Sequence, residues 1–60
     1  MDFTRAMYEA YTHQLCIDFY SNTITHPEGI EWYWTTQGDD IANLVELVKG
    51  VVEGLEDKEC

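Results

Sequence analysis

Basic residues are nearly missing from this chain. Three Lys and Arg stand against twelve Asp and Glu in 60 residues, for a net charge of −9. Proteins that bind nucleic acid neutralise phosphates with Lys and Arg, and only Arg5, Lys49 and Lys58 are available here. The composition therefore argues against direct binding of DNA or RNA. A strong negative field instead favours association with a basic surface.

Cysteines and long apolar runs are also scarce. Two cysteines, Cys16 and Cys60, are too few for a secreted disulfide framework, so we expect reduced thiols with Cys16 partly buried. No segment approaches the roughly 18 apolar residues of a membrane span, and the first residues show no signal-peptide pattern. These features predict a cytoplasmic protein that does not contact a membrane.

Catalytic and cofactor motifs are missing as well. There is no Gly-rich phosphate loop and no recognised Ser-His-Asp spacing, and a 60-residue chain leaves little volume for a catalytic pocket. His13 and Cys16, with His26, are the best metal lead, but structural zinc sites need a second ligand pair. We therefore predict no enzyme, cofactor or metal site, with His13 on a helix surface and His26 at a turn.

The clearest predicted element is a C-terminal helix over residues 39–55, capped by Asp39 or Asp40. Its apolar residues recur at helical spacing and form one face: Ile41, Leu44, Val45, Val48, Val51, Val52 and Leu55. Gly50 and Gly54 allow two interpretations. Either they mark the close approach of another backbone, or Gly50 is a tolerated helix position and Gly54 begins a frayed C-terminal end. We expect residues 56–60 to fray.

A β-hairpin is predicted before this helix. Residues 30–36 alternate and are rich in aromatic side chains, so Ile30, Trp32 and Trp34 should face the helix. The intervening residues, Glu31, Tyr33 and Thr35, should lie on the other face. Residues 26–29, with Pro27 at the second position, form the turn, and residues 22–25 form the preceding strand.

The first twenty residues allow two interpretations. Tyr8, Tyr11, Leu15 and Phe19 fit one long helix, whereas Leu15, Ile17 and Phe19 equally fit a strand after a short helix. The β-branched and aromatic content of residues 16–20 favours the strand. Either way, we expect a single α+β domain over residues 1–60. It has a small antiparallel sheet of two or three strands, an N-terminal helix and a C-terminal helix.

The acidic side chains are the candidate partner-binding residues, because the other classes of site are unsupported. The hairpin, the start of the C-terminal helix and its polar flank supply them, with Tyr33 as an aromatic anchor: Glu28, Glu31, Tyr33, Asp39, Asp40, Glu46, Glu53, Glu56 and Asp57. Tyr20 and Tyr8 are further candidate anchors. We expect binding to weaken steeply as salt rises.

In size, charge and element order, the whole chain resembles the small acidic inhibitors that phages make against host defences. These include anti-CRISPR proteins, uracil-DNA glycosylase inhibitors and anti-restriction proteins, many of which mimic DNA. No sequence motif carries the resemblance, and no residue roles follow from it. It implies a non-enzymatic inhibitor that binds the basic nucleic-acid-binding surface of a bacterial defence or DNA-processing protein. The alternative is a small homodimer that completes its core through the C-terminal helix, with an acidic surface that only confers solubility.

Overall fold

A helix, three short strands and a second helix follow one another along the chain, in the order α-β-β-β-α. The computed structural model describes residues 2–58. The elements are α1 (Phe3–Thr12), β1 (Cys16–Asp18), β2 (Thr23–Thr25), β3 (Glu31–Tyr33) and α2 (Asp40–Lys58). This architecture confirms the predicted α+β class and the version with a short first helix and three strands.

The end of α1 explains why the long-helix interpretation is wrong. Gln14 adopts a left-handed φ of 60°. The Leu15 N–H donates to the Ala10 carbonyl at 2.8 Å, and the Gln14 N–H donates to the Tyr11 carbonyl at 3.0 Å. This pair of bonds is a Schellman C-cap, which normally uses glycine at the left-handed position. The chain therefore leaves the helix at His13 and enters β1.

The sheet is an antiparallel meander with the order β1-β2-β3. Ile17, Ile24 and Trp32 pair across it and form its inner row, which packs in or against the core. Side chains alternate between the faces of a strand, so the neighbouring residues point outward. Cys16 is one of these neighbours and is exposed, which corrects the expectation that it is partly buried.

One hydrophobic core joins both helices to the inner face of the sheet. Its buried residues are Ala6, Ala10, Leu15, Ile24, Trp34, Leu44, Val48, Val51 and Val52. Trp32 packs against this core and Trp34 is buried within it, as predicted. Both large helix residues with no exposed surface, Leu44 and Val48, come from the predicted apolar face of α2.

Two residues predicted to lie in the core are instead at its ends. Ile30 precedes β3, and its carbonyl accepts the His26 N–H at 2.8 Å at the tip of the hairpin, so its side chain remains 40% exposed. Ile41 lies in the first turn of α2 and is 43% exposed. The α2 face enters the core only from Leu44 onward.

The predicted cap of α2 is confirmed, but its predicted end is wrong. Asp39 Oδ1 accepts the Ala42 N–H at 3.1 Å, which satisfies a donor in the first turn. The helix continues past Leu55 to Lys58, because the Glu and Lys residues that follow favour helix and Leu55 still packs against the core. Of the residues predicted to fray, 56–58 are therefore helical, and Glu59 and Cys60 lie outside the described residues.

The two helix glycines are not contact points within the chain. A β-carbon added at Gly50 or Gly54 would meet nothing within 4 Å. No backbone of this chain therefore approaches α2 there, within the region that the structure describes. Gly54 also lies inside the helix and not at a frayed end.

Candidate partner-binding surfaces

The outer flank of α2 carries a row of carboxylates, which we call the α2 acidic row: Asp39, Glu46, Glu53 and Asp57. The last three are seven and four residues apart, so they share one side of the helix, opposite the buried Leu44. All four side chains are exposed. From Glu46 to Asp57 the row spans about 16 Å at 1.5 Å per residue. Among the side chains that the structure describes, none forms an ion pair with the row.

The loop before α2 is held against the helix. The Asn43 amide donates to the Thr35 carbonyl at 2.9 Å and to the Gln37 carbonyl at 3.0 Å. Gly38 supplies a left-handed φ of 77° immediately before the capping residue. These contacts fix Asp39 at one end of the α2 acidic row.

Two other predicted acids of α2 lie off this row. Asp40 is in the first turn, where the helix dipole favours a negative charge, and it is exposed. Glu56 is turned toward α1, and its Oε1 lies 3.9 Å from His13 Nε2. Glu56 thus faces a side chain of α1, unlike Glu46, Glu53 and Asp57.

A second acidic surface lies on the outer face of the sheet. The strand register places Glu31 and Tyr33 of β3 on this face with Cys16 and Asp18 of β1. The Tyr33 hydroxyl donates to Glu31 Oε2 at 3.0 Å, and Tyr33 remains 67% exposed. This hydrogen bond to the Glu31 carboxylate, together with its charge, raises the pKa of Tyr33 above its usual 10.0. We call this group the sheet surface.

Asp18 is a candidate binding residue that sequence reasoning missed. Its Oδ1 accepts the backbone N–H groups of Tyr20 at 2.8 Å and Ser21 at 3.3 Å. These two bonds, led by the one from Tyr20, lower the pKa of the Asp18 carboxyl. An Asp at the first position of a turn is the available signal, but the loop between β1 and β2 was not predicted.

The predicted turn of the hairpin is also present, and it carries Glu28. The Gly29 N–H donates to the His26 carbonyl at 2.8 Å, and His26 Nδ1 accepts the Glu28 N–H at 3.1 Å. Glu28 is exposed at the tip of the hairpin, beyond Glu31. It extends the acidic character of this end of the sheet.

Most of the predicted binding residues therefore lie on two separate surfaces, and Asp40 and Glu56 lie on neither. The α2 acidic row points away from the core on the helical side, whereas the sheet surface points away from it through the sheet. The candidate anchors Tyr8 and Tyr20 are both exposed, at 62% and 99%. Tyr8 lies beside Tyr11 along an open depression on α1, and Tyr20 lies in the loop after β1.

Positive charge does little to offset these acids in the described part of the chain. Arg5 Nη2 lies 2.8 Å from Glu9 Oε1, and its guanidinium lies 5.8 Å from the centre of the Tyr8 ring. Lys49 is exposed on α2. The outer surfaces thus keep most of the negative charge that the composition indicates.

Comparison with protein-family models, curated proteins and solved structures gives no match to this chain. Neither helix, within the described residues, combines the length and the apolar character that crossing a membrane requires.

Proposed function

We propose that this chain is a non-enzymatic inhibitor that binds a basic, nucleic-acid-binding surface on a bacterial defence or DNA-processing protein. It would act in the host cytoplasm. The α2 acidic row would supply the charge that recognises this surface, in place of nucleic-acid phosphates.

One observation carries this proposal: the exposed carboxylates of the α2 acidic row lie along α2 and at its N-cap, and they are not paired with a cation of the described chain. Because α2 is fixed by its buried face, the backbone positions that carry the carboxylates are set before binding. Lys and Arg on a partner could therefore pair with them at the cost of ordering side chains but not backbone. Complementary charge of this kind mainly speeds association and sets the register.

Affinity also requires anchors that bury apolar area. The exposed aromatic side chains Tyr8, Tyr20 and Tyr33 are available for this role. Tyr33 and Glu31 would offer a second contact, through the sheet surface, to a partner that wraps around the domain.

The homodimer loses the main observation that motivated it. From Leu44 onward, the apolar face of α2 packs in the core of the same chain, so it is not available to a second copy. Dimer formation remains a prediction that sedimentation at micromolar concentration tests. It gains no support from this fold.

The test is affinity capture from a bacterial lysate with the immobilised chain, at about 0.05 M and about 0.5 M salt, where screening differs several-fold in length. We expect nucleic-acid-binding or nuclease proteins to be recovered at low salt and lost at high salt. Added duplex DNA should compete with the chain for them. Recovery that is equal at both salt concentrations, or unaffected by DNA, contradicts the proposal.

Two triple variants with the same change in net charge locate the surface. The first, Glu46→Gln/Glu53→Gln/Asp57→Asn, neutralises the α2 acidic row. The second neutralises three exposed acids elsewhere, as a matched control: Glu28→Gln/Glu31→Gln/Asp40→Asn. The first should abolish capture, whereas the second should weaken it less, because Glu31 offers only a second contact to the partner. Equal losses would mean that overall charge, and not the row, attracts the partner.

A further inference from the structure

A mixed cluster of one histidine and two carboxylates lies where the C-terminal end of α1 meets α2. Glu9 and His13 are four residues apart and therefore share a face of α1. Glu56 reaches them from α2. One ligand atom from each side chain, an imidazole nitrogen and two carboxylate oxygens, lie within 4.8 Å of one another.

Burial and charge both favour a cation at this position. The side chains of Glu9 and His13 are only 13% and 16% exposed, whereas that of Glu56 is 59% exposed, so the cluster opens to solvent on one side. A partly buried carboxylate is stabilised by a positive partner. His13 also caps the C-terminal end of α1, where the helix dipole attracts positive charge.

The ion pair between Arg5 and Glu9 leaves room for a second cation. Arg5 contacts one oxygen of Glu9, at 2.8 Å. A carboxylate has two oxygens and about four acceptor positions. Glu9 can therefore hold the guanidinium and a metal ion together.

We propose that Glu9, His13 and Glu56 bind a divalent first-row transition-metal ion of the Zn²⁺ type. Zn²⁺ takes imidazole nitrogen and carboxylate oxygen at about 2.0–2.2 Å, which places tetrahedral ligands about 3.3 Å apart. The three ligand atoms lie within 4.8 Å of one another, so the cluster needs to contract by at most about 1.5 Å to reach that spacing. Small rotamer changes of the Glu56 and Glu9 side chains can supply this contraction. Water would complete the coordination. Mg²⁺ and Ca²⁺ prefer all-oxygen sites and fit less well.

Such an ion would fasten α1 to α2. Binding to the folded state alone raises stability by mass action, so Zn²⁺ should increase the melting temperature. The inference does not depend on the proposed inhibitor function, because it concerns residues outside the α2 acidic row.

The test titrates the full chain with ZnCl₂ by calorimetry and by thermal unfolding, and uses Co²⁺ absorption to report the ligand geometry. We expect saturable binding of one ion per chain. His13→Gln and Glu56→Gln should each weaken binding by about tenfold or more, because even the loss of an outer-shell partner typically costs about 10–100-fold in metal affinity. Matched controls on residues outside the cluster, His26→Gln and Glu53→Gln, should bind like the wild type.

A variant with both Cys16→Ser and Cys60→Ser separates this site from binding by thiols. It should keep wild-type affinity for Zn²⁺. Loss of binding in this variant, equal loss in the His26→Gln control, or no saturable binding in the wild type each overturns the proposal. Circular dichroism without metal checks that the variants fold. If His13→Gln does not fold, Glu56→Gln still tests the site, because Glu56 is exposed and its substitution leaves the core intact.

Discussion

The strongest quantitative prediction concerns two apolar residues three positions apart on α2. Leu44 has no exposed surface and lies in the core that joins both helices to the sheet. The sequence predicts Ile41 on the same apolar face of the helix, yet its side chain is 43% exposed. Truncating each to alanine therefore compares burial at closely similar side-chain size.

We expect Leu44→Ala to cost about 2–5 kcal/mol, since it removes buried methyl groups and leaves a cavity. A 60-residue chain has roughly 3–9 kcal/mol of total stability, at about 0.05–0.15 kcal/mol per residue. The variant thus loses a large share of the whole. Ile41→Ala should cost less than about 1 kcal/mol, because no closed cavity forms and alanine favours helix.

Urea unfolding followed by circular dichroism at a helical wavelength measures both variants. The slope of the transition should stay near that of the wild type, with the midpoint far lower only for Leu44→Ala. Similar midpoints for the two variants, or a larger loss for Ile41→Ala, would refute the assignment of the core along α2.

The remaining predictions concern backbone and titration. Gly50→Ala should stabilise the chain by up to about 1 kcal/mol, whereas Gly38→Ala should destabilise it because of the positive φ; melting temperatures that move in the same direction contradict this. The lowered pKa of Asp18 contributes stability that is complete above its usual pKa of 3.8 and is lost as pH falls through the folded-state pKa. Asp18→Asn keeps the turn acceptor but lacks this pH dependence, so the free energies of unfolding of the wild type and the variant should converge in acid. A difference between them that stays constant with pH would contradict this prediction. Glu31→Gln should bring the pKa of Tyr33 back toward 10.0, and NMR titration showing no change would contradict the contact.

The elements whose residues repeat at regular spacing could be predicted from the sequence. The buried face of α2, its Asp39 cap and the alternation around Trp32 and Trp34 follow directly from periodicity and capping chemistry. The ends of these patterns could not be predicted. Ile30 and Ile41 match the apolar spacing, but each lies at an end of its element, and spacing alone does not tell where the core stops.

Features that depend on tertiary contacts or unusual backbone were beyond sequence reasoning. The left-handed Gln14 gives no glycine signal, so the end of α1 stayed ambiguous. Glu56 meets His13 only because α1 and α2 pack together, and the two lie far apart in the sequence. For the same reason the acids appeared as one set, although the fold separates the α2 acidic row from the sheet surface.

Capture of a basic partner under competition tests the central claim most directly. The wild-type chain and the two charge-matched triple variants are compared for binding to the recovered protein at rising salt, with and without duplex DNA. The account predicts binding that falls steeply with salt, is displaced by DNA and is weakened about tenfold or more only when the α2 acidic row is neutralised. Salt-independent binding, or equal binding by the variant that lacks the row, would contradict it.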